Sequence, residues 1–302
     1  MTLRIAGAPV SFGVFELSPA DAAVQLPGPD EILDVLERTG YSGVDMGPLG
    51  FLGRGAQLRA RLSSHSLELA GGWVSLPFSD DAAFAASLGE LDAALDFFDE
   101  SVDENTTLRP LPTLADTGDE LRRAHPGGGE GLSLDAHGWD RFAANVATAA
   151  ARVRDRGFEP TFHHHACTYV ETGQEIDEFV ARTDVGMTFD SGHLLIGGVD
   201  PLVGWKRWSS RINHVHIKDV RTDVLREIVG RNGSMYEVWS GGTFVPLGEG
   251  DLDVPAIMDA IVESGYSGWI VVEQDVIPRS DDDPGRVERD HAVNREALRP
   301  WA

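Results

Sequence analysis

The sequence predicts an α/β fold, a single (β/α)8 barrel spanning residues 1–302. Eight short apolar runs alternate with amphipathic segments from one end of the chain to the other. Strands of a parallel sheet buried on both faces are apolar throughout, as these runs are. Four of them close on polar clusters: His163-His164-His165, Asp190-Ser191-Gly192-His193, His214-Val215-His216-Ile217-Lys218-Asp219 and Val272-Glu273-Gln274-Asp275. Active sites of such barrels sit at the C-terminal strand ends. The four clusters are therefore expected to converge, although they span more than a third of the chain.

Residues 3–9 form the first strand, ending at Ser11-Phe12-Gly13. Residues 30–38 place Ile32, Leu33, Val35 and Leu36 on one helical stripe, and Gly40 stops the helix. A short strand at 43–47, a helix at 56–62, a strand at 67–74 and a long helix at 82–98 follow. Residues 108–115 are a fourth strand, interrupted by Pro110 and Pro112. Beyond the Gly127-Gly128-Gly129 loop, residues 139–156 form a helix with Phe142, Val146 and Val153 aligned. The later strands are 159–162 leading to His163, 185–189 ending at Asp190, 211–215 reaching His216, and 268–273. Helices at 175–182, 201–208 and 253–264 separate them. The longest connection, 219–250, holds Tyr236, Trp239 and Gly241-Gly242; it is expected to be a loop, covering the substrate or inserted flexibly at the surface. Residues 278–284, with Asp281-Asp282-Asp283, are expected to form a solvated turn before a last helix.

A formal net charge of -24, from Asp+Glu 49 against Lys+Arg 25, repels phosphate backbones and anionic lipid. Nucleic acid and membrane surfaces are thus not expected partners. Its plainer meaning is solubility. Cys167 is the only cysteine, which excludes an intrachain disulfide framework. The N-terminus resembles a strand more than a signal peptide, and no apolar run is long enough to span a bilayer, so a cytoplasmic location is expected.

Imidazoles and carboxylates gathered at one mouth suit a divalent metal site, which makes an enzyme the leading reading. Taken singly, each residue has a blander role. Strand alternation puts His163 and His165 on one side and His164 on the other, yet consecutive histidines are often surface features. Asp190 closes an apolar run, where a carboxylate needs a partner, but it is equally placed to cap a helix. His214 and His216 share a face that Lys218 continues, and a hydrogen-bonded core histidine is the better account of His214. Glu273 ends the most apolar strand of the chain, where a carboxylate rarely serves stability. A Gly-x-Ser-x-Gly elbow is missing, Cys167 fits a small core residue better than a nucleophile, and the glycine clusters do not form a nucleotide cradle.

The stretches Gly43-Val44-Asp45-Met46-Gly47-Pro48, His163-His164-His165, Thr188-Phe189-Asp190-Ser191-Gly192-His193, His214 to Asp219, Pro246-Leu247-Gly248-Glu249-Gly250-Asp251 and Val272 to Asp275 resemble the xylose-isomerase-like TIM-barrel superfamily. Within it the sequence is most similar to the myo-inosose-2 dehydratase group of inositol catabolism. The resemblance implies a divalent metal held by Asp190, His216, Glu273 and a strand-five histidine. His165 is favoured for that fourth place over His163. Strand five usually carries a glutamate in the wider superfamily; its replacement by histidine disfavours epimerisation by two opposed glutamates and favours elimination. Mixed imidazole and carboxylate ligation suits Mn2+ or Co2+, with Zn2+ and Fe2+ as further options. The implied activity is dehydration of a keto-cyclitol such as 2-keto-myo-inositol, with His163 and His193 moving protons and Lys218 donating to the enolate oxygen or the leaving group. Asp45, Trp73, Trp239 and Glu249 are the implied substrate contacts. The same site suits isomerisation or epimerisation of a keto-sugar, elimination from a 3-keto-glycoside, or a non-catalytic sugar-binding barrel. Relatives often pair, so a homo-oligomer is compatible with the resemblance.

Overall fold

The computed structural model describes residues 3–15, 24–129, 131–280, 282–283 and 285–302. Nine parallel strands are present: β1 (Arg4–Gly7), β2 (Gly43–Val44), β3 (Glu68–Leu69), β4 (Gly71–Leu76), β5 (Leu111–Asp116), β6 (Thr161–His163), β7 (Gly186–Asp190), β8 (Ile212–Ile217) and β11 (Trp269–Val272). They form one row in the order β3-β2-β1-β11-β8-β7-β6-β5-β4. The end strands β3 and β4 are two pieces of one extended stretch parted at Ala70. The Ala70 N–H donates to the Val44 carbonyl at 2.9 Å, and its own carbonyl accepts from the Leu111 N–H at 3.2 Å. Ala70 is thereby bonded to the strand on each side, and the row closes into a barrel.

The helices that wrap it are α1 (Pro29–Thr39), α2 (Gly55–Ser64), α3 (Asp81–Ser101), α5 (Ala136–Asp155), α6 (Gly173–Arg182), α8 (Pro201–Trp208) and α11 (Val254–Glu263), with α12 (Arg286–Ala297) last. Their limits follow local chemistry. α6 starts at a capping box in which Thr172 accepts from the Glu175 N–H and Glu175 accepts from the Thr172 N–H. α1 stops at Gly40, whose φ of 87° favours glycine.

The core lies between strands and helices. Phe162 on β6 is fully buried, its ring 4.3 Å from that of Phe179 on α6 and 5.9 Å from that of Phe142 on α5. Burying such a ring is worth roughly 1.5–3 kcal/mol. It also fixes the facing of β6: with Phe162 held outward, alternation turns His163 into the barrel mouth. The register then levels the functional strand ends. Ala115 pairs with His163, His163 with Thr188, Asp190 with His216, and His216 with Val271.

Several expectations are revised. The first strand stops at Gly7, and Pro9, with no N–H to offer a ladder, opens a 3-10 turn over Pro9–Phe12. The fourth strand begins only after Pro110, with Pro112 opposite Gly72. The 219–250 connection is folded rather than a bare loop. It contains β9 (Asp219–Val220), α9 (Thr222–Gly230), α10 (Met235–Ser240) and β10 (Phe244–Val245), and β9 pairs antiparallel with β10. Val220, Leu225, Ile228, Val238 and Phe244 give it an apolar cluster of its own with Ile196. Two further short helices, α4 (Glu120–Arg123) and α7 (Ser191–Ile196), follow β5 and β7. Of the expected turn at 278–284, Asp281 and Pro284 lie outside the described residues. Among the described residues no helix is long and apolar enough to cross a membrane.

Candidate metal centre

Four side chains from adjacent strands meet at the C-terminal mouth: His163 from β6, Asp190 from β7, His216 from β8 and Glu273 just past β11. His163 Nδ1 lies 2.5 Å from the His164 carbonyl, which places the proton on Nδ1 and leaves the Nε2 lone pair facing the group. Asp190 divides its two oxygens. Oδ1 accepts the His193 N–H at 3.0 Å and caps α7, while Oδ2 turns inward to Lys218 Nζ at 2.8 Å and His163 Nε2 at 3.4 Å. The capping role and the site role weighed from the sequence thus coexist in one carboxylate.

A cation holding nitrogen and oxygen ligands at about 2.0–2.2 Å requires neighbouring donors about 3.0–3.5 Å apart. His163 Nε2 is 3.2 Å from His216 Nδ1, and His216 Nδ1 is 3.0 Å from Glu273 Oε2 and 3.8 Å from Asp190 Oδ2. All four donor atoms lie within 4.8 Å of one another. The spacing and the mixed donor set therefore fit a divalent cation. Burial holds His163 below the usual histidine range, so it is neutral and able to ligate. Burial opposes charge on Asp190 as well, but Lys218, His193 and His163 outweigh it and keep the carboxylate ionised.

Lys218 is 2% exposed, with Nζ 2.8 Å from Asp190 Oδ2, 2.6 Å from Glu273 Oε2 and 3.4 Å from Asp275 Oδ1. Burial works against its charge, but the three carboxylates prevail and raise its pKa well above the ordinary lysine value. Ser191 fixes its backbone: the Ser191 hydroxyl donates to the Lys218 carbonyl at 2.7 Å and accepts the Lys218 N–H at 2.8 Å. This close approach needs Gly192, since a Cβ there would sit 2.7 Å from the Lys218 Cβ. Asp275 was passed over in the sequence, although it continues the alternation from Glu273; burial pushes its carboxyl up to about 7 against the pull of Lys218.

His165 lies outside the four-member group. The strand ends at His163, and the chain turns so that the His165 N–H donates to the Val170 carbonyl and Nδ1 faces the Ala166 carbonyl at 2.8 Å. Its ring packs against Trp73 at 5.0 Å and His193 at 3.7 Å. His193 sits behind it, accepting the Ala166 N–H on Nδ1 at 3.3 Å. His164 points away and accepts the Asp190 N–H on Nε2. His214 is fully buried, and Asp45, His214 and His216 form a second group of donors within 4.8 Å.

A cavity of about 510 Å³ opens over the group. His163, His165, His216, Lys218 and Glu273 line its polar side; Asp45, Trp73 and Trp239 line it too, the last from α10 and in edge contact with Phe15 at 5.5 Å. Glu249 is exposed and outside the cavity, because the Gly248 and Gly250 N–H groups both donate to Asp219 Oδ2 and turn the backbone between them outward. Asp116 also lines the cavity and was not singled out from the sequence. Its signal was the one that marked Asp190 and Glu273, a carboxylate closing an apolar strand, masked here by the two prolines.

Fold and donors together define a parallel barrel with a candidate metal centre at its C-terminal mouth. The chain belongs to the xylose isomerase-like TIM barrel family, whose model matches residues 32–297. It is 33% identical over 262 residues to the rhizopine catabolism protein MocC of Rhizobium meliloti, covering 82% of this chain and 75% of that protein. It is 29% identical over 259 residues to the inosose dehydratase of Geobacillus kaustophilus, covering 82% of this chain and 80% of the other. In structure it is similar to the probable 3-DHS dehydratase AsbF of Bacillus anthracis, with a TM-score of 0.70 over 98% of this chain and 99% of that one at 13% identity, a likeness of fold.

Proposed function

We propose that the protein is a metal-dependent dehydratase acting on a keto-cyclitol of the 2-keto-myo-inositol class. The observation that carries the proposal is the convergence of His163, Asp190, His216 and Glu273 at metal-ligand spacing under a cavity that fits a six-membered polyol ring. Similarity to an inosose dehydratase supports the choice of substrate class. Bound by these four residues, a divalent cation such as Mn2+ or Co2+ would supply Lewis acidity at the ketone and a template for the neighbouring oxygens.

The remaining steps fall to side chains around the group. Elimination removes a proton beside the ketone and breaks the C–O bond of the β-hydroxyl; the proton taken by the base passes to the departing oxygen, so that one water is released. His165 is the base: with Nδ1 on the Ala166 carbonyl, its Nε2 carries the lone pair, and burial keeps the ring neutral. His193 supports that ring from behind. Lys218 remains cationic and donates to the oxygen that gains charge. In this assignment His163 and His165 exchange the roles that the sequence favoured. The segment 219–250 closes the cavity through Tyr236 and Trp239, and the chain works as one barrel.

The test is incubation of the Mn2+-loaded protein with 2-keto-myo-inositol under mass spectrometry. A product lighter by one water is expected. An isobaric product would replace the proposal by an isomerase, and tight binding with no product by a non-catalytic barrel.

A further inference from the structure

Asp116 closes β5, next to the strand that carries His163. Counted round the barrel from β11 through β8, β7 and β6, its strand stands across the mouth from Glu273. The side chain is 2% exposed yet borders the cavity. Its two oxygens have different surroundings. Oδ2 accepts the N–H groups of Gly118 at 3.0 Å and Tyr169 at 3.1 Å, tying together the loops that follow β5 and β6. Oδ1 has no hydrogen-bond partner among the described residues.

Nearly all buried polar atoms in folded proteins are partnered, so a bare oxygen beside a cavity points to a donor that arrives with a ligand. Asp116 belongs to neither group of clustered donors among the described residues. Burial pushes its carboxyl up to about 6 against the backbone donors, so at neutral pH Oδ1 is a charged acceptor. Holding the loops occupies Oδ2 alone.

We infer that Asp116 Oδ1 anchors a ring hydroxyl of the polyol substrate, opposite the end of the ring held at the metal centre. The inference rests on the proposed substrate class. It makes Asp116 a specificity-determining residue that reads a hydroxyl remote from the ketone. Asp116→Asn separates this task from the structural one: the amide oxygen can still accept the Gly118 and Tyr169 N–H groups, while an NH2 replaces the unpartnered acceptor.

The experiment is titration calorimetry of wild type and Asp116→Asn with myo-inositol, a non-reacting probe, beside steady-state kinetics on 2-keto-myo-inositol. With fold and metal content unchanged, the variant is expected to bind myo-inositol about tenfold or more weaker, as loss of a charged hydrogen bond implies. Its KM should rise in step, with kcat changed far less. Unchanged polyol affinity in the variant, or no polyol binding by wild type, would overturn the inference. Wild type that binds myo-inositol through Asp116 but releases no water from the ketone would remove the dehydratase reading and keep the anchor. Dehydration with equal KM in both proteins would do the reverse.

Discussion

Two buried clusters of charge lie on the same side of the barrel, and they are built to opposite plans. In the first, Arg122 on α4 makes a bidentate pair with Glu175 at 2.9 Å for each bond and reaches Glu171 at 3.0 Å. Gly127, Ser133 and Thr172 supply further donors, so every oxygen of the two carboxylates has a partner and, among the described residues, only the Arg122 Nε is left over. In the second, at the candidate metal centre, His216 Nε2 and both nitrogens of His214 lack hydrogen-bond partners among the described residues. The first cluster is closed and neighbours the cavity without donating to it. The second, left open, crowds His163, His216, Lys218 and three carboxylates round one point. Completed networks hold loops in place, whereas incomplete ones mark where something from outside is expected.

The contrast breaks most sharply under substitution. Glu273→Gln replaces an anionic ligand by a neutral amide and removes the charge beside Lys218. Bound metal should be lost and kcat/KM should fall by about a thousand-fold or more, since Lewis-acid stabilisation of several kcal/mol disappears. Metal analysis and kinetics check this, and full metal retention would take Glu273 out of the site. Arg122→Ala should instead spare chemistry per folded molecule and cost about 3–5 kcal/mol of stability in urea unfolding, because Glu171 and Glu175 are left buried and unpaired. Arg122→Met should cost less. Equal costs for the two would show that packing, not charge, matters there.

Asp116 sharpens the comparison through pH. Its folded carboxyl is raised to about 6 from an ordinary 3.8, so the folded state binds a proton more tightly than the unfolded one. Its contribution to stability is present below the ordinary value and lost as pH rises towards 6, about 3 kcal/mol at most. The stability of Asp116→Asn relative to wild type should therefore improve between about pH 4 and pH 6 and stay level above. A difference independent of pH would contradict the burial account. The smallest effect is expected at the lid: Trp239→Ala should raise KM several-fold, about 1 kcal/mol, with metal content untouched. A loss of metal in that variant would mean that α10 holds the centre and does not merely cover it.

Much of this organisation is legible in the sequence because parallel strands leave plain marks. Phe162, Phe189 and Val272 are buried, and each is followed by a polar residue that faces the mouth, so the strand endings could be counted before any contact was known. The role of each histidine was not legible. Alternation puts His163 and His165 on one side, but β6 stops at His163, and the turn that moves His165 away depends on a backbone bond to Val170. The folded state of 219–250 was hidden for a related reason. α9 and α10 are short, and a partner in their apolar cluster, Ile196, is distant in sequence. Asp116 was obscured by Pro110 and Pro112, although its strand forms just beyond the first.

Elemental analysis of the purified wild type, His163→Ala and His165→Ala proteins tests the central claim most directly. One equivalent of a divalent metal in wild type and in His165→Ala, with none in His163→Ala, is the predicted result. Metal retained by His163→Ala and lost from His165→Ala, or absent from the wild type after loading with Mn2+ or Co2+, would contradict it.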